Sequence, residues 1–253
     1  MLKTIVLKSL FYSTFALLSF YLLRLFFQTQ NFVSDIGGIN NFFALFGTLY
    51  GILTAFVIFE VWNEYNTTVQ LIEKECLALE QLYNFILYFR DDKLADKIKK
   101  AISSYVNEVI KDEFPKFAKG KGSDSSSQSF RKLFLLIKDV KFNDDHDSMV
   151  FGQVIGHYKT LSEIRTERIN QSLTRLPSLL KFFLYLASFL AIFVFLLMPF
   201  TNVFYGFLTI GILTFILGMV FQLIEDLDNP FEGYWNISPD AFSRSLKNIN
   251  EDY

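Results

Sequence analysis

The residue types that most often do chemistry are scarce in this sequence. It contains one cysteine, Cys76, and two separated histidines, His146 and His157. It has no G-x-S-x-G motif, no phosphate-binding loop and no H-E-x-x-H motif. Nucleophilic, phosphoryl-transfer and zinc-hydrolase chemistry each depend on such patterns. The sequence therefore predicts a protein that is not an enzyme, in which Cys76 serves packing.

The acidic segment Asn143–Asp147 offers the only grouping of possible metal ligands that we single out. It lacks the glycine and the closing glutamate of a calcium-binding EF-hand loop. Acidic turns before helices commonly act as caps, because a carboxylate accepts hydrogen bonds from the first backbone N–H groups. We therefore predict a helix cap at this segment, with no metal and no cofactor.

Two carboxylates, Glu60 and Glu64, follow directly after a long uncharged segment. If several copies of the chain assembled around an axis, each glutamate would become a ring of charge. Such a ring would bias which ions enter a pore. The alternative is an ordinary solvated carboxylate at the membrane surface.

Both glutamates lie on a segment, Ile39 to Phe89, that the sequence predicts to be one unbroken helix. Alternate steps of three and four residues from Asn41 to Ile86 trace a stripe with no charged residue. About 50 helical residues span roughly 75 Å, more than twice the thickness of a bilayer core. Its first part, Ile39–Phe59, would cross the membrane, and the remainder would extend into water.

We assign a different role to each half of this stripe. The membrane half is predicted to line a water-filled path in an oligomer, with helix packing as the alternative. The other half is predicted to form the seam between subunits, with packing on the chain's own core as the alternative. The pore-lining candidates are Asn41, Ala44, Thr48, Gly51, Ala55 and Ile58. The seam candidates are Val69, Ile72, Cys76, Leu79, Tyr83 and Ile86.

The composition predicts an all-α protein of the membrane. Of the 253 residues, 51% are hydrophobic and 31 are phenylalanine, which is too apolar for an ordinary soluble domain. The net charge of -2 gives no indication of nucleic-acid binding. Three further segments approach the length that a bilayer requires, so we expect four transmembrane helices. The three segments are Ser9–Phe27, Leu179–Met198 and Val203–Ile224.

The distribution of basic residues predicts the orientation in the membrane. Eighteen of the 24 lysines and arginines lie between residues 60 and 178, and the loops 29–41 and 199–202 have none. Basic residues near membrane helices favour the cytoplasmic side. We therefore predict an inner-membrane protein with both termini and the 60–178 region in the cytoplasm.

The predicted domain organisation follows from these segments. Residues 1–59 hold transmembrane helices 1 and 2, 60–178 form a helical cytoplasmic region, 179–224 hold helices 3 and 4, and 225–253 form a cytoplasmic C-terminal segment. Within the cytoplasmic region, a helix begins at Asp91 or Asp92 and closes before Pro115. Residues 119–129 (KGKGSDSSSQS) are predicted to be a mobile linker. Two more helices are expected at Phe130–Phe142 and Ser148–Arg175.

The segment after the fourth span is the most distinctive in the chain. The helix must stop at Asn229-Pro230, because proline disfavours a helical residue before it, and Phe231 is expected to fold back. Asn229, Pro230, Phe231 and Gly233 resemble the turn that follows the last membrane helix of the bestrophin channels. In those channels an acidic calcium-binding clasp accompanies the turn. Its consecutive aspartates are missing from this sequence, where Glu225, Asp226, Asp228 and Asp240 are a loose substitute.

A wider similarity is to the bestrophin-like family of membrane proteins. It covers most of the chain from the second span to Phe242 and is carried by Trp62, Glu75-x-x-x-Leu79, Leu82-Tyr83, Arg165-x-x-Arg168, Asn229-Pro230-Phe231-x-Gly233 and Ser238-Pro239. The resemblance implies four membrane helices, a helical cytoplasmic body and a homo-oligomer around an axis, with five subunits by analogy with the bestrophins.

Two functions remain open at this point. In the first, an oligomeric ion channel in the lipid bilayer conducts ions along a pathway lined by the second helix, an activity that the resemblance implies by analogy. In the second, the chain is a non-conducting oligomeric scaffold or sensor whose cytoplasmic helices bind a partner. The two functions differ in whether water contacts the small-residue face of the second helix.

Overall fold

The computed structural model describes residues 2–26, 36–142 and 144–251. These residues form helices joined by short connections, and no strand occurs among them, which confirms the predicted all-α fold. The helices are α1 (Leu2–Phe26), α2 (Ile36–Leu87), α3 (Asp92–Glu108), α4 (Phe114–Phe117), α5 (Asp124–Lys138), α6 (Asp145–Leu173), α7 (Ser178–Leu197), α8 (Val203–Asp228) and α9 (Asp240–Glu251).

Four helices, α1, α2, α7 and α8, are long and apolar enough to cross a membrane. They correspond to the four predicted segments, and α2 is a single helix of 52 residues. The predicted end of the first segment, Phe27, lies outside the described residues. The chain divides into two compact units: a membrane unit of Met1–Asn63 with Arg175–Asp228, and a second unit of Glu64–Thr174 with Asn229–Tyr253.

In the membrane unit, glycines of α8 allow α1 to approach closely. A Cβ atom at Gly218 would lie 3.3 Å from the backbone of Ser9, and one at Gly206 would lie 2.7 Å from the ring of Phe20. Gln222 stabilises the same contact, because its amide donates to the hydroxyl of Ser9 at 2.7 Å. The small residues of α8 therefore serve helix packing.

The second unit has a continuous apolar core, contributed by α3, α5, α6, α9 and the later part of α2. Side-chain caps fix where several of its helices begin. Asp91 accepts from the backbone N–H of Leu94 at the start of α3, and Asp144 accepts from that of Asp147 at the start of α6. The capping role predicted for the acidic segment is thus present at Asp144, while Asn143 lies outside the described residues.

The helix that begins at Asp92 does not close before Pro115, contrary to the prediction. Residues Val109–Glu113 form a π-helical turn, and α4 continues directly from it. In a π-helical turn, backbone hydrogen bonds join residues five apart instead of four. This change lets the helix continue past Pro115, which has no N–H to donate. The helical backbone therefore runs through Pro115 to Phe117.

The predicted linker at residues 119–129 is also wrong over its second half. Asp124–Lys138 is helical, with Ser123 as its cap, and Ser126 and Ser129 are buried. The serines of this low-complexity segment act as hydrogen-bond donors. The hydroxyls of Ser123 and Ser125 donate to the carboxylate of Asp112, at 2.5 and 2.7 Å. Together with Lys116, these donors lower the pKa of Asp112 to about 2.

Candidate functional site

One side of α2 is packed by the rest of the chain between Phe43 and Val61. In the membrane unit, the Tyr50 and Ser188 hydroxyls are hydrogen-bonded, and the rings of Phe43 and Phe195 are 4.8 Å apart. Val57 and Val61 on the same side are buried, being 3% and 0% exposed. At about 100° per residue, these positions share one face, which we call the packed face.

The predicted pore-lining residues lie about a third of a turn away from the packed face. We call this surface the small face. A Cβ atom added at Gly51 would have nothing within 4 Å, so this part of the helix is uncovered in a single chain. The exposed members are Asn41, Ala44, Thr48, Gly51 and Ala55, and Ile58 is half-buried.

The third surface of α2 carries large apolar side chains. It is formed by Leu45, Leu49, Ile52 and Phe56, all exposed in the single chain, with Phe56 68% exposed. Helical geometry places it roughly 100° from the small face. The membrane part of α2 thus has three distinct surfaces, and the small face is separate from the one best suited to acyl chains.

The two glutamates predicted to form charge rings do not lie on the small face. Because α2 is an unbroken helix, Glu60 lies roughly 150° around it from the middle of the small face, and Glu64 lies on the opposite side. Beyond the small face, toward the C-terminal end of α2, the first carboxylate on the same side of the helix is Glu73, which is exposed. A charge ring at Glu60 or Glu64 stays a prediction.

The predicted subunit seam is occupied by the chain's own core. Five of its six residues are buried within the single chain, and only Val69 is partly exposed. A heptad stripe drifts about 20° per heptad around a straight α-helix, so over six heptads it turns by more than 100°. The stripe that begins on the small face therefore ends on the packed face. The five residues are Ile72, Cys76, Leu79, Tyr83 and Ile86.

The C-terminal turn packs into the core of the second unit. Phe231 is buried, with its ring centroid 5.0 Å from that of Phe114 and 5.2 Å from that of Phe117. The side-chain amide of Asn229 donates to the carbonyl of Ala118 at 3.0 Å. Gly233 has a φ of 91°, a backbone conformation that favours glycine.

Two of the acidic residues before this turn are paired with a lysine. The ammonium group of Lys181 lies 2.7 Å from the carboxylate of Asp228 and 3.0 Å from that of Glu225. Asp228 also accepts from the backbone N–H of Leu176. The position that a cation would take between Glu225 and Asp228 is thus filled by the ammonium group of Lys181.

A buried ion cluster at the centre of the second unit is absent from the sequence-based predictions. Arg168 and Glu75 are both fully buried and joined at 2.5 Å, and Arg168 also contacts Glu113 at 2.6 Å. Arg165 approaches Glu113 at 3.5 Å and donates to the hydroxyl of Tyr105 at 3.1 Å. Two cations and two anions balance, as burial in a low dielectric requires.

The electrostatics of this ion cluster follow from burial and pairing. Burial by itself lowers the pKa of Arg168, but Glu75 and Glu113 outweigh it and hold that pKa well above its ordinary value. Burial raises the pKa of Tyr105, and the charge of Glu75 raises it further. Tyr105 therefore remains a neutral donor, and its hydroxyl donates to Glu75. The cluster connects α2, α3 and α6 through buried charges. Separating these charges would cost free energy, because a buried charge would be left without a partner.

Comparison with known proteins agrees with this architecture. The model of the bestrophin-like domain matches residues 10–242. A crystal structure of a bacterial bestrophin homologue from Klebsiella pneumoniae is 14% identical and has a TM-score of 0.68, over 100% of this chain and 98% of that one. A substituted form of that homologue is 13% identical, with a TM-score of 0.69 over 98% of each chain. No curated protein sequence matches the chain.

The molecule is thus an all-helical integral membrane protein with the fold of bacterial bestrophin homologues. By the match of its family model, the chain belongs to the bestrophin-like family.

Proposed function

We propose that this protein is a homo-oligomeric ion channel of the cytoplasmic membrane, with the small face of α2 lining the pathway. The observation that carries the proposal is the uncovered state of Asn41, Thr48, Gly51 and Ala55, about a third of a turn from the packed face of the same helix. Polar and small side chains at membrane depth suit a hydrated surface better than a lipid-facing one. The neighbouring surface, with Leu49 and Phe56, is the one that suits lipid.

A single α2 helix cannot enclose a path, so the proposal requires several copies. Rotational symmetry would bring the same face of each copy to a common axis. Small residues there allow close approach of the helices while leaving room for water. The subunit number that we propose, five, comes from the analogy with the bestrophins, and Val69 remains a proposed contact between copies.

We propose Glu73, in place of Glu60, as the glutamate that affects ion selectivity. We expect Glu73→Gln to reduce the preference for cations over anions. Helical geometry places Glu73 on the same side of α2 as the small face, beyond the end of the membrane segment. A unit charge at about 4 Å contributes about 1 kcal/mol even in water, or roughly fivefold in local ion concentration. The measurement is the reversal potential of the purified protein in planar bilayers under a salt gradient.

The matched control is Glu60→Gln, which removes the same charge from a different side of the helix. It should leave the reversal potential close to that of the wild type. If Glu60→Gln shifts the potential and Glu73→Gln does not, then the small face does not line the pathway. Absence of wild-type current would contradict the channel itself.

The proposed orientation places both termini in the cytoplasm. A cysteine introduced at Asn202, in the α7–α8 connection, should react with an impermeant maleimide added to intact cells, because that connection would face outward. One introduced at Asn250 should react only after permeabilisation. The native Cys76 is 6% exposed, so it should contribute little background. The reverse labelling pattern would contradict the orientation.

A further inference from the structure

Arg24 is a cation near the end of a membrane helix, and its charge is unpaired among the described residues. Its guanidinium donates to two backbone carbonyls, that of Met198 at 3.1 Å and that of Phe200 at 3.2 Å. Its Nε atom is buried and has no hydrogen-bond partner there. Carbonyl groups orient a guanidinium but carry no net charge. The positive charge of Arg24 is therefore left uncompensated by the part of the chain that the structure describes.

Arg24 lies at the wall of an apolar crevice between α1 and α8. The crevice has a volume of about 320 Å³ and is lined by Tyr21, Leu25, Val203 and Phe207 in addition to Arg24. Leu25 and Tyr21 are 62% and 53% exposed. An apolar slot with a single cation in its wall matches a molecule that has an acyl chain and an anionic head.

We propose that this crevice binds a phospholipid, whose phosphate accepts hydrogen bonds from the remaining N–H groups of Arg24. The acyl chain would lie along Leu25 and Phe207. Arg24 is two residues from the end of α1 at Phe26, a depth at which long basic side chains reach the lipid headgroups. The phospholipid would supply the anion that the described part of the chain does not.

The test is lipid binding by the full-length protein, purified in detergent and delipidated. Native mass spectrometry in the presence of phosphatidylglycerol should show one bound lipid per chain at this site. Arg24→Gln should weaken this binding by about tenfold, the magnitude expected for loss of a charge-assisted hydrogen bond. The matched control, Arg131→Gln, removes an exposed arginine of α5 and should bind as the wild type does. Inorganic phosphate at the same concentration should produce no adduct, because it cannot fill the apolar slot.

A second variant keeps the experiment decisive if Arg24→Gln fails to fold. Val203→Trp leaves Arg24 and its two carbonyl contacts intact and fills the crevice with an indole ring. It should also reduce lipid binding while the helical content stays unchanged. Equal binding by wild type and Val203→Trp would overturn the proposal, as would binding of inorganic phosphate as strong as that of the lipid.

Discussion

Replacing Arg168 by methionine should lower the free energy of unfolding of the second unit by about 3–5 kcal/mol, the usual cost of removing one partner from a buried ion pair. Arg168 is fully buried and contacts both Glu75 and Glu113. Without it, two carboxylates would share the site with the single cation of Arg165. The measurement is urea unfolding of the detergent-purified protein, followed by circular dichroism. The loss should be the largest of any single substitution outside the membrane unit.

Two further variants separate the role of charge balance from that of side-chain volume. Arg131→Met removes an exposed arginine of α5 and should change the stability little. Adding Glu75→Gln to Arg168→Met restores neutrality beside Arg165 and should recover part of the loss, which makes the coupling measurable as a double-mutant cycle. If Arg168→Met costs no more than Arg131→Met, the ion cluster does not hold the unit together.

The membrane helices could be predicted from the sequence because their signal is local. A long uncharged segment such as the start of α2 is expected to be helical in lipid, since a helix satisfies its own backbone hydrogen bonds and a barrel strand would need only about ten residues. The stop at Asn229-Pro230 was equally readable from the chemistry of proline. These inferences require only the residues of one segment and the properties of the solvent.

The surfaces of α2 could not be distinguished by the same local reasoning. The charge-free stripe repeats every 3.5 residues, whereas a straight α-helix has 3.6 residues per turn. Over the length of α2 this difference carries the stripe from the uncovered side at Asn41 to the core at Ile86. Only the position of neighbouring helices shows which surface stays uncovered.

The ion cluster depends on contacts between residues far apart in sequence. Glu75 lies next to Cys76 of the charge-free stripe, and Arg165 and Arg168 are spaced to lie on the same side of a helix. Those two signals together could have indicated a buried pair. Their pairing with Glu113 could not be read, because it depends on the π-helical turn before Pro115. The role of Ser126 depends equally on the helix that begins inside a serine-rich segment.

We also expect larger side chains on the small face to block ion flux. Gly51→Leu and Ala55→Phe should abolish ion flux in reconstituted liposomes, because each added side chain would project into the pathway from every subunit. Gly51→Leu should not weaken α2, since leucine favours a helix by about 1 kcal/mol relative to glycine and its Cβ would meet nothing within 4 Å. Leu49→Trp, a comparable increase in bulk on the lipid-suited surface, is the matched control.

The flux through liposomes containing wild type, Gly51→Leu and Leu49→Trp, each first checked for its oligomeric state, tests the proposed pathway most directly. We predict that wild type and Leu49→Trp conduct and that Gly51→Leu does not, with all three running as the same multimer. A wild type that carries no flux above empty liposomes, in both salt directions and with or without calcium, would contradict the channel. If Gly51→Leu instead disrupts the multimer, the small face is a contact between subunits, as the scaffold alternative requires.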